Sequence, residues 1–225
     1  MKRWIFISME AILYGVFLWI DMFVPRCANI SIYVKYTSIL LCFFYVLFCC
    51  DEDIDHQDQS LVQLILLFTL ISDTFLLLIG NYALGMTTFL VAQLLHRYRL
   101  RKGRKQRTYR IALFGFFLLI CLSLMGIALD YVLIVAVFYF LCMVTNAGYS
   151  LIHRENVIYT IGLILFLCCD INVGLFNIAA YIEIPEALSF FINHVVSVLM
   201  WLFYLPSQVL IALSVKPRTC QKGYK

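Results

Sequence analysis

Five ionisable side chains fall inside stretches of sequence otherwise fit for hydrocarbon: Glu10, Asp21, Lys35, Asp73 and Asp170. A charge at the centre of a bilayer costs on the order of 2.5–3.5 kcal/mol on insertion scales, so such groups are rare, face the protein interior and mark proton, ion or substrate sites. Glu10 and Asp21 lie nearer the ends of one stretch, where solvent or a structural partner accounts for them. Lys35 and Asp73 each sit six or seven residues inside their stretches, which at ~1.5 Å per residue is about 10 Å deep, and similar depth allows them to pair. Asp170 is nearer the midplane, with Asn177 one heptad further along the same face. A purely structural pair with Lys35 needs one acid, whereas two carboxyls and an ammonium are the parts of an acid–base device.

Other polar side chains recur at helical spacing around these five. Ser31, Lys35 and Ser38 share a face, as do Tyr139, Cys142, Asn146 and Ser150, and Gln93 is followed one turn later by His96. His194, Ser197, Trp201, Tyr204 and Gln208 step by three and four along a single stripe, which predicts a helix face lining a cavity. Hydroxyls and amides also join membrane helices by hydrogen bonds, so any one Ser, Asn or Gln is explained by helix adhesion alone.

The elements that must position these groups follow from composition. Of 225 residues, 64% are hydrophobic and 13% charged, against roughly 45–50% and about 25% in ordinary globular domains. With a mean hydropathy of +0.93, a soluble enzyme, a secreted disulfide module and a disordered chain are excluded. About 20 apolar residues cross a bilayer core, and eight segments qualify: roughly 4–24, 29–49, 60–79, 82–97, 111–129, 131–152, 157–180 and 188–214. The expected fold is all-α, a single multi-pass bundle with no room for a soluble domain. Almost no loop separates the helices at Gly80-Asn81 and at Asp130-Tyr131, which predicts two antiparallel hairpins. The start, Met1-Lys2-Arg3 and an apolar run, has the outline of a signal peptide. Glu10 within it, and Phe23-Val24-Pro25-Arg26 in place of a small-residue cleavage site, predict a retained anchor instead.

Orientation is read from Lys and Arg. With the N-terminus inside, fifteen of the 17 basic residues fall on the cytoplasmic side, including the eight from Arg97 to Arg110, and only Arg26 falls outside. This asymmetry predicts both termini in the cytoplasm of a cell-membrane protein and an even number of crossings. The acidic run Asp51-Glu52-Asp53-Ile54-Asp55 is read as a solvated inner loop. The net charge of +4 is explained by headgroup attraction at the ends of the spans and implies no nucleic-acid partner. Nine cysteines, mostly within apolar runs, read as small hydrophobes. Neighbouring residues on a helix point about 100° apart, so Cys49-Cys50 and Cys168-Cys169 do not make a metal site, and neither a metal nor a cofactor is expected. There is no GxSxG, Walker or HExxH sequence.

Several of these segments resemble a known family. Ile71-Ser72-Asp73-Thr74-Phe75-Leu76-Leu77-Leu78, Gly85 and Phe89-Leu90-Val91-Ala92-Gln93 are similar to the paired-helix signature of the YhhN-like lysoplasmalogenase family of eight-span membrane proteins. Lys35 with Thr37 resembles its Lys-Pro-x-Thr segment, Gly162 to Asp170 its second aspartate helix, and Tyr204-Leu205-Pro206-Ser207-Gln208 its closing Tyr-x-x-small-Gln. The resemblance runs from about residue 30 to residue 214. The chain departs from the pattern at Gln93, often histidine in the family, at His96, often tyrosine, and at Tyr36, where the proline is missing. An aspartate helix followed by a small-residue-Gln pair occurs twice, as Asp73 with Ala92-Gln93 and as Asp170 with Ser207-Gln208, which hints at a four-plus-four repeat.

The resemblance implies hydrolysis of the vinyl ether bond of lysoplasmalogens, with a membrane lipid as substrate and a fatty aldehyde and a glycerophospho-base as products. Vinyl ethers are cleaved by protonation on carbon followed by capture of an oxocarbenium-like cation by water. That requires an acid, a carboxylate and an apolar slot. Desolvation favours the protonated form of a carboxyl and a neighbouring cation the ionised form, so two acids can divide the roles. Asp170 as acid with Asp73 as carboxylate, or the reverse, fits this logic. Lys35, Gln93, His96, Tyr139, Asn146, Tyr204 and Gln208 are the expected supporting residues. The alternative is a non-catalytic transporter or lipid sensor that uses the same acids as a proton or cation site.

Overall fold

A computed structural model of the chain describes residues 3–24, 26, 28–48, 54–101, 108–154, 156–177, 181, 185, 189 and 192–216. Within these residues the apolar stretches form eight α-helices: α1 (Arg3–Phe23), α2 (Ala28–Phe48), α3 (His56–Asp73), α4 (Tyr82–Leu100), α5 (Thr108–Leu124), α6 (Tyr131–His153), α7 (Val157–Asn177) and α8 (Ser197–Leu213). A π-helical turn, Thr74–Ile79, prolongs α3, and another, Ile192–Val196, leads into α8. The expected all-α fold is what forms. Among the described residues five helical stretches are long and apolar enough to cross a membrane, and Tyr109–Leu124 and Ser197–Leu213 are apolar but shorter.

Local chemistry sets the helix ends. Asp55 caps α3 by accepting from the Gln57 and Asp58 amides, Asn81 caps α4 through the Leu84 amide, and Asp130 caps α6 through the Leu133 amide, each satisfying a donor that the first helical turn leaves open. At the first hairpin Gly80 takes φ 75°, a left-handed conformation that stops the π-turn and hands the chain directly to Asn81. The second hairpin is wider than its sequence suggests. Gly126 at φ 80° ends α5 at Leu124, five residues before the expected 129, because apolar residues continue past the point where the backbone has already turned.

α7 packs most extensively on α8 and α3 on α4, while α4 also lies along α6 and α1 along α2. Each aspartate helix therefore lies against a glutamine helix, α3 against α4 and α7 against α8. Gly162 lets α7 and α8 approach closely: a Cβ there would stand 3.2 Å from the Ser207 carbonyl oxygen and from Ile211. Pro206 lies inside α8 and cannot donate to the carbonyl four residues back. That carbonyl, of Leu202, accepts instead from the Tyr14 hydroxyl at 3.1 Å. α5 packs on α6 and turns Leu113, Phe114, Phe116, Phe117 and Ile120 outward. A surface this apolar is suited to lipid.

Cys42, Cys121, Cys142, Cys168 and Cys169 are free thiols, and among the described residues no three His, Cys, Asp or Glu side chains gather as a metal site would require. Cys27, Cys49, Cys50, Cys220, the acidic run 51–53, Arg104, Glu183 and Lys222 lie outside the described residues, as does the side chain of His194.

Candidate functional site

Asp73 closes the regular part of α3, where the π-turn begins, and is 3% exposed. The Tyr204 hydroxyl of α8 donates to its Oδ2 at 2.7 Å. Asp170 on α7 is 8% exposed, and the Tyr139 hydroxyl of α6 lies 2.9 and 2.8 Å from its two oxygens. Each carboxyl is thus held by a phenol from a different helix.

The two pairs share one wall. Phe89 of α4 packs against the rings of both Tyr139 and Tyr204, at 5.8 and 6.3 Å between centroids, and Phe166 of α7 packs on Phe89 and Tyr204 at 6.0 and 5.6 Å. Four helices, α3, α6, α7 and α8, therefore bring two acids and two phenols to one aromatic centre.

Lys35 is not the partner of Asp73. Its ammonium binds Asp21 Oδ2 at 2.6 Å and lies 4.6 Å above the Trp201 ring and 5.5 Å from that of Phe17. The reason is the direction of the polar face on α2. Ser31 donates to Asp21 at 2.5 Å and Ser38 donates to Glu10, so the stripe that carries Lys35 is turned toward α1. Glu10, also bonded by the Cys42 thiol at 3.3 Å, and Asp21 are structurally paired. The neighbours of Lys35 and Asp73 do meet, through Tyr36 and Thr74 hydroxyls 3.0 Å apart. Trp201 packs on Tyr204 at 5.4 Å, which places two rings between Lys35 and the Asp73 carboxyl.

The remaining expected residues gather nearer the other end of the bundle. Asn146 of α6 donates to the Gln93 main-chain carbonyl at 2.9 Å and to its side-chain oxygen at 3.2 Å. His96 Nδ1 lies 2.6 Å from the Tyr159 hydroxyl, and Gln208 donates to Ser207 at 3.2 Å. None of these bonds reaches a carboxyl of the pair. Asn177 is exposed and bonds its own helix at Val173.

A buried ion pair on this side was not expected from the sequence. Arg99 of α4 grips Asp58 of α3 in a fork, at 2.8 and 2.7 Å, and reaches the Ser214 hydroxyl and carbonyl, each at 2.8 Å. Asp58 also accepts from the Lys216 amide at 2.9 Å, so the pair fastens the end of α8 to the α3–α4 hairpin. Arg99 reads as one member of a basic loop and Asp58 as part of an acidic one. The available signal is that both stand at adjoining ends of two antiparallel helices.

Neither aspartate is paired to a cation among the described salt bridges, so the tyrosine hydroxyls are the groups that hold the two carboxyls. Compared with known families, the chain matches the YhhN family over residues 30–215. No curated protein and no solved structure matches it.

Proposed function

Starting from the fact that this chain belongs to the YhhN family, we propose that it is an intramembrane hydrolase that cleaves the vinyl ether bond of lysoplasmalogen-type lysophospholipids. The observation that carries this reading is the pair of buried carboxyls, each bonded to a tyrosine and backed by the same phenylalanine. One carboxyl protonates the vinyl carbon remote from oxygen, and the resulting cation on the carbon that bears the oxygen is stabilised by the other. Water adds to that carbon and gives a proton to the carboxylate. The hemiacetal then breaks its bond to the glyceryl oxygen, which takes a proton, and fatty aldehyde leaves. Asp170 as acid and Asp73 as carboxylate, or the reverse, satisfies the same balance. Tyr139 and Tyr204 orient the carboxyls, Phe89 and Phe166 supply apolar surface for the chain, and Lys35, steadied by Asp21 and Trp201, is available to the phosphate of the headgroup.

Carbon protonation leaves a mark. In D2O the aldehyde released by the purified protein should carry one deuterium at carbon 2, and aldehyde without it would exclude protonation on carbon.

The reading places eight spans in the cell membrane with both termini in the cytoplasm. Cysteine labelling should find positions 104 and 222 on the cytoplasmic side and position 183 outside. A tail accessible from outside would mean an odd number of crossings.

A further inference from the structure

Four buried side-chain atoms have no hydrogen-bond partner among the described residues, Thr69 Oγ1 and three that belong to one neighbourhood: Gln93 Nε2, His96 Nε2 and Gln208 Oε1. All three side chains are 0% exposed. Native interiors satisfy such atoms with internal water, which takes about three bonds per molecule. Gln93 and His96 share one face of α4, and that face meets Asn146 of α6 and Tyr159 of α7.

Helix register brings Gln208 to the same level. Phe89 of α4 packs on Tyr204 of α8, and ten residues further on in both helices Arg99 bonds Ser214. The two helices therefore run parallel in step, and the residues one turn beyond Phe89 and Tyr204 are Gln93 and Gln208. Their open atoms are complementary, an amide N–H on Gln93 and an amide oxygen on Gln208. His96 adds a third group. The Tyr159 hydroxyl lies 2.6 Å from His96 Nδ1, and when it donates there Nε2 keeps its hydrogen.

This group lies between two features. On one side a pocket lined by Arg99, Ser150, His153, Asn156, Tyr159 and Lys216 reaches the surface at the exposed His153, and its Tyr159 is the residue bonded to His96. On the other side Phe166 packs against both His96, at 6.4 Å, and Tyr204. Together with Phe89 it separates the amides from the two carboxyls.

We propose that Gln93, His96 and Gln208 hold a chamber of internal water, fed from the pocket at Tyr159, and that this chamber supplies the water consumed in hydrolysis past the Phe89–Phe166 partition. The delivery role rests on the hydrolase reading, and the chamber itself does not. In this scheme the three are positioning residues, since they touch the water and not the lipid.

Radiolytic hydroxyl labelling of the resting full-length protein in detergent reads the chamber directly, because ordered water oxidises the side chains beside it. Met143, fully buried one turn from Asn146, and Tyr159 should be oxidised in the wild type and at least threefold less in the Gln93→Leu/Gln208→Leu variant. The variant should melt close to wild type, because the two bonds it loses, from Asn146 to Gln93 Oε1 and from Gln208 to Ser207, are both long at 3.2 Å, the unsatisfied amide groups go with them, and the Asn146 bond to the main chain at Gln93 is kept. Its kcat should fall at least tenfold with KM unchanged, a split that a packing defect would not produce. Should the double variant fail to insert, Gln93→Leu alone carries the same comparison. Labelling that disappears in the variant supports the chamber even if no vinyl ether is cleaved, in which case the delivery role falls with the hydrolase reading. Wild-type Met143 and Tyr159 protected from oxidation would overturn the chamber even with full turnover.

Discussion

Asp73→Asn and Asp170→Asn should each lower vinyl ether turnover by roughly 10²–10⁴-fold while the protein still folds and inserts. Asparagine keeps the outline of the carboxyl and an oxygen for the tyrosine hydroxyl, so the bonds from Tyr204 and Tyr139 have a ready acceptor. It can neither deliver an acid proton nor stabilise a cation. Little change in stability is expected, because no cation is stranded: Lys35 is bound to Asp21. The comparison is made by activity per folded protein, with melting temperature measured in the same detergent. Variants that melt much lower but keep activity in proportion to folded protein would make the aspartates structural.

The largest effect on stability belongs elsewhere. Removing one partner of a buried ion pair leaves an uncompensated charge and costs about 3–5 kcal/mol, whereas replacing both with apolar residues is often neutral. Asp58→Leu or Arg99→Met should therefore each destabilise the protein by that amount, since Arg99 makes four of its bonds to Asp58 and Ser214. The double variant should recover much of the loss. Unfolding of the four proteins of this cycle in mixed detergent measures it. Single variants within 1 kcal/mol of wild type would show that water already reaches the pair.

Much of this arrangement was legible in the sequence, and the reasons differ from residue to residue. The helices were legible because a run of about 20 apolar residues in a chain of this hydropathy has few other uses, and the near absence of a loop at Gly80-Asn81 and at Asp130-Tyr131 announced the hairpins. Asp73, Asp170, Tyr139 and Tyr204 stood out because polar groups at membrane depth turn inward, and the structure brings these four together. Which group meets which was less legible. Helical periodicity gives the face a residue occupies and says nothing of the helix that face meets, so depth alone allowed Lys35 to pair with Asp73, whereas its stripe points at α1. The same gap hid Arg99–Asp58, whose members belong to loops of opposite charge when read along the chain. Gln93, His96 and Gln208 were expected as supporting residues, and only the register of α4 and α8 shows that Phe89 and Phe166 stand between them and the carboxyls.

Turnover of three matched lysophospholipids by the purified protein in detergent tests the hydrolase reading most directly: one with a vinyl ether chain, one with a saturated ether and one with an ester. Only an enol ether can form the oxocarbenium ion by protonation on carbon. Fatty aldehyde should appear from the vinyl ether lipid alone and be lost in Asp73→Asn and Asp170→Asn. Fatty acid released from the ester, or no aldehyde from the vinyl ether lipid with folded wild-type protein, would contradict it.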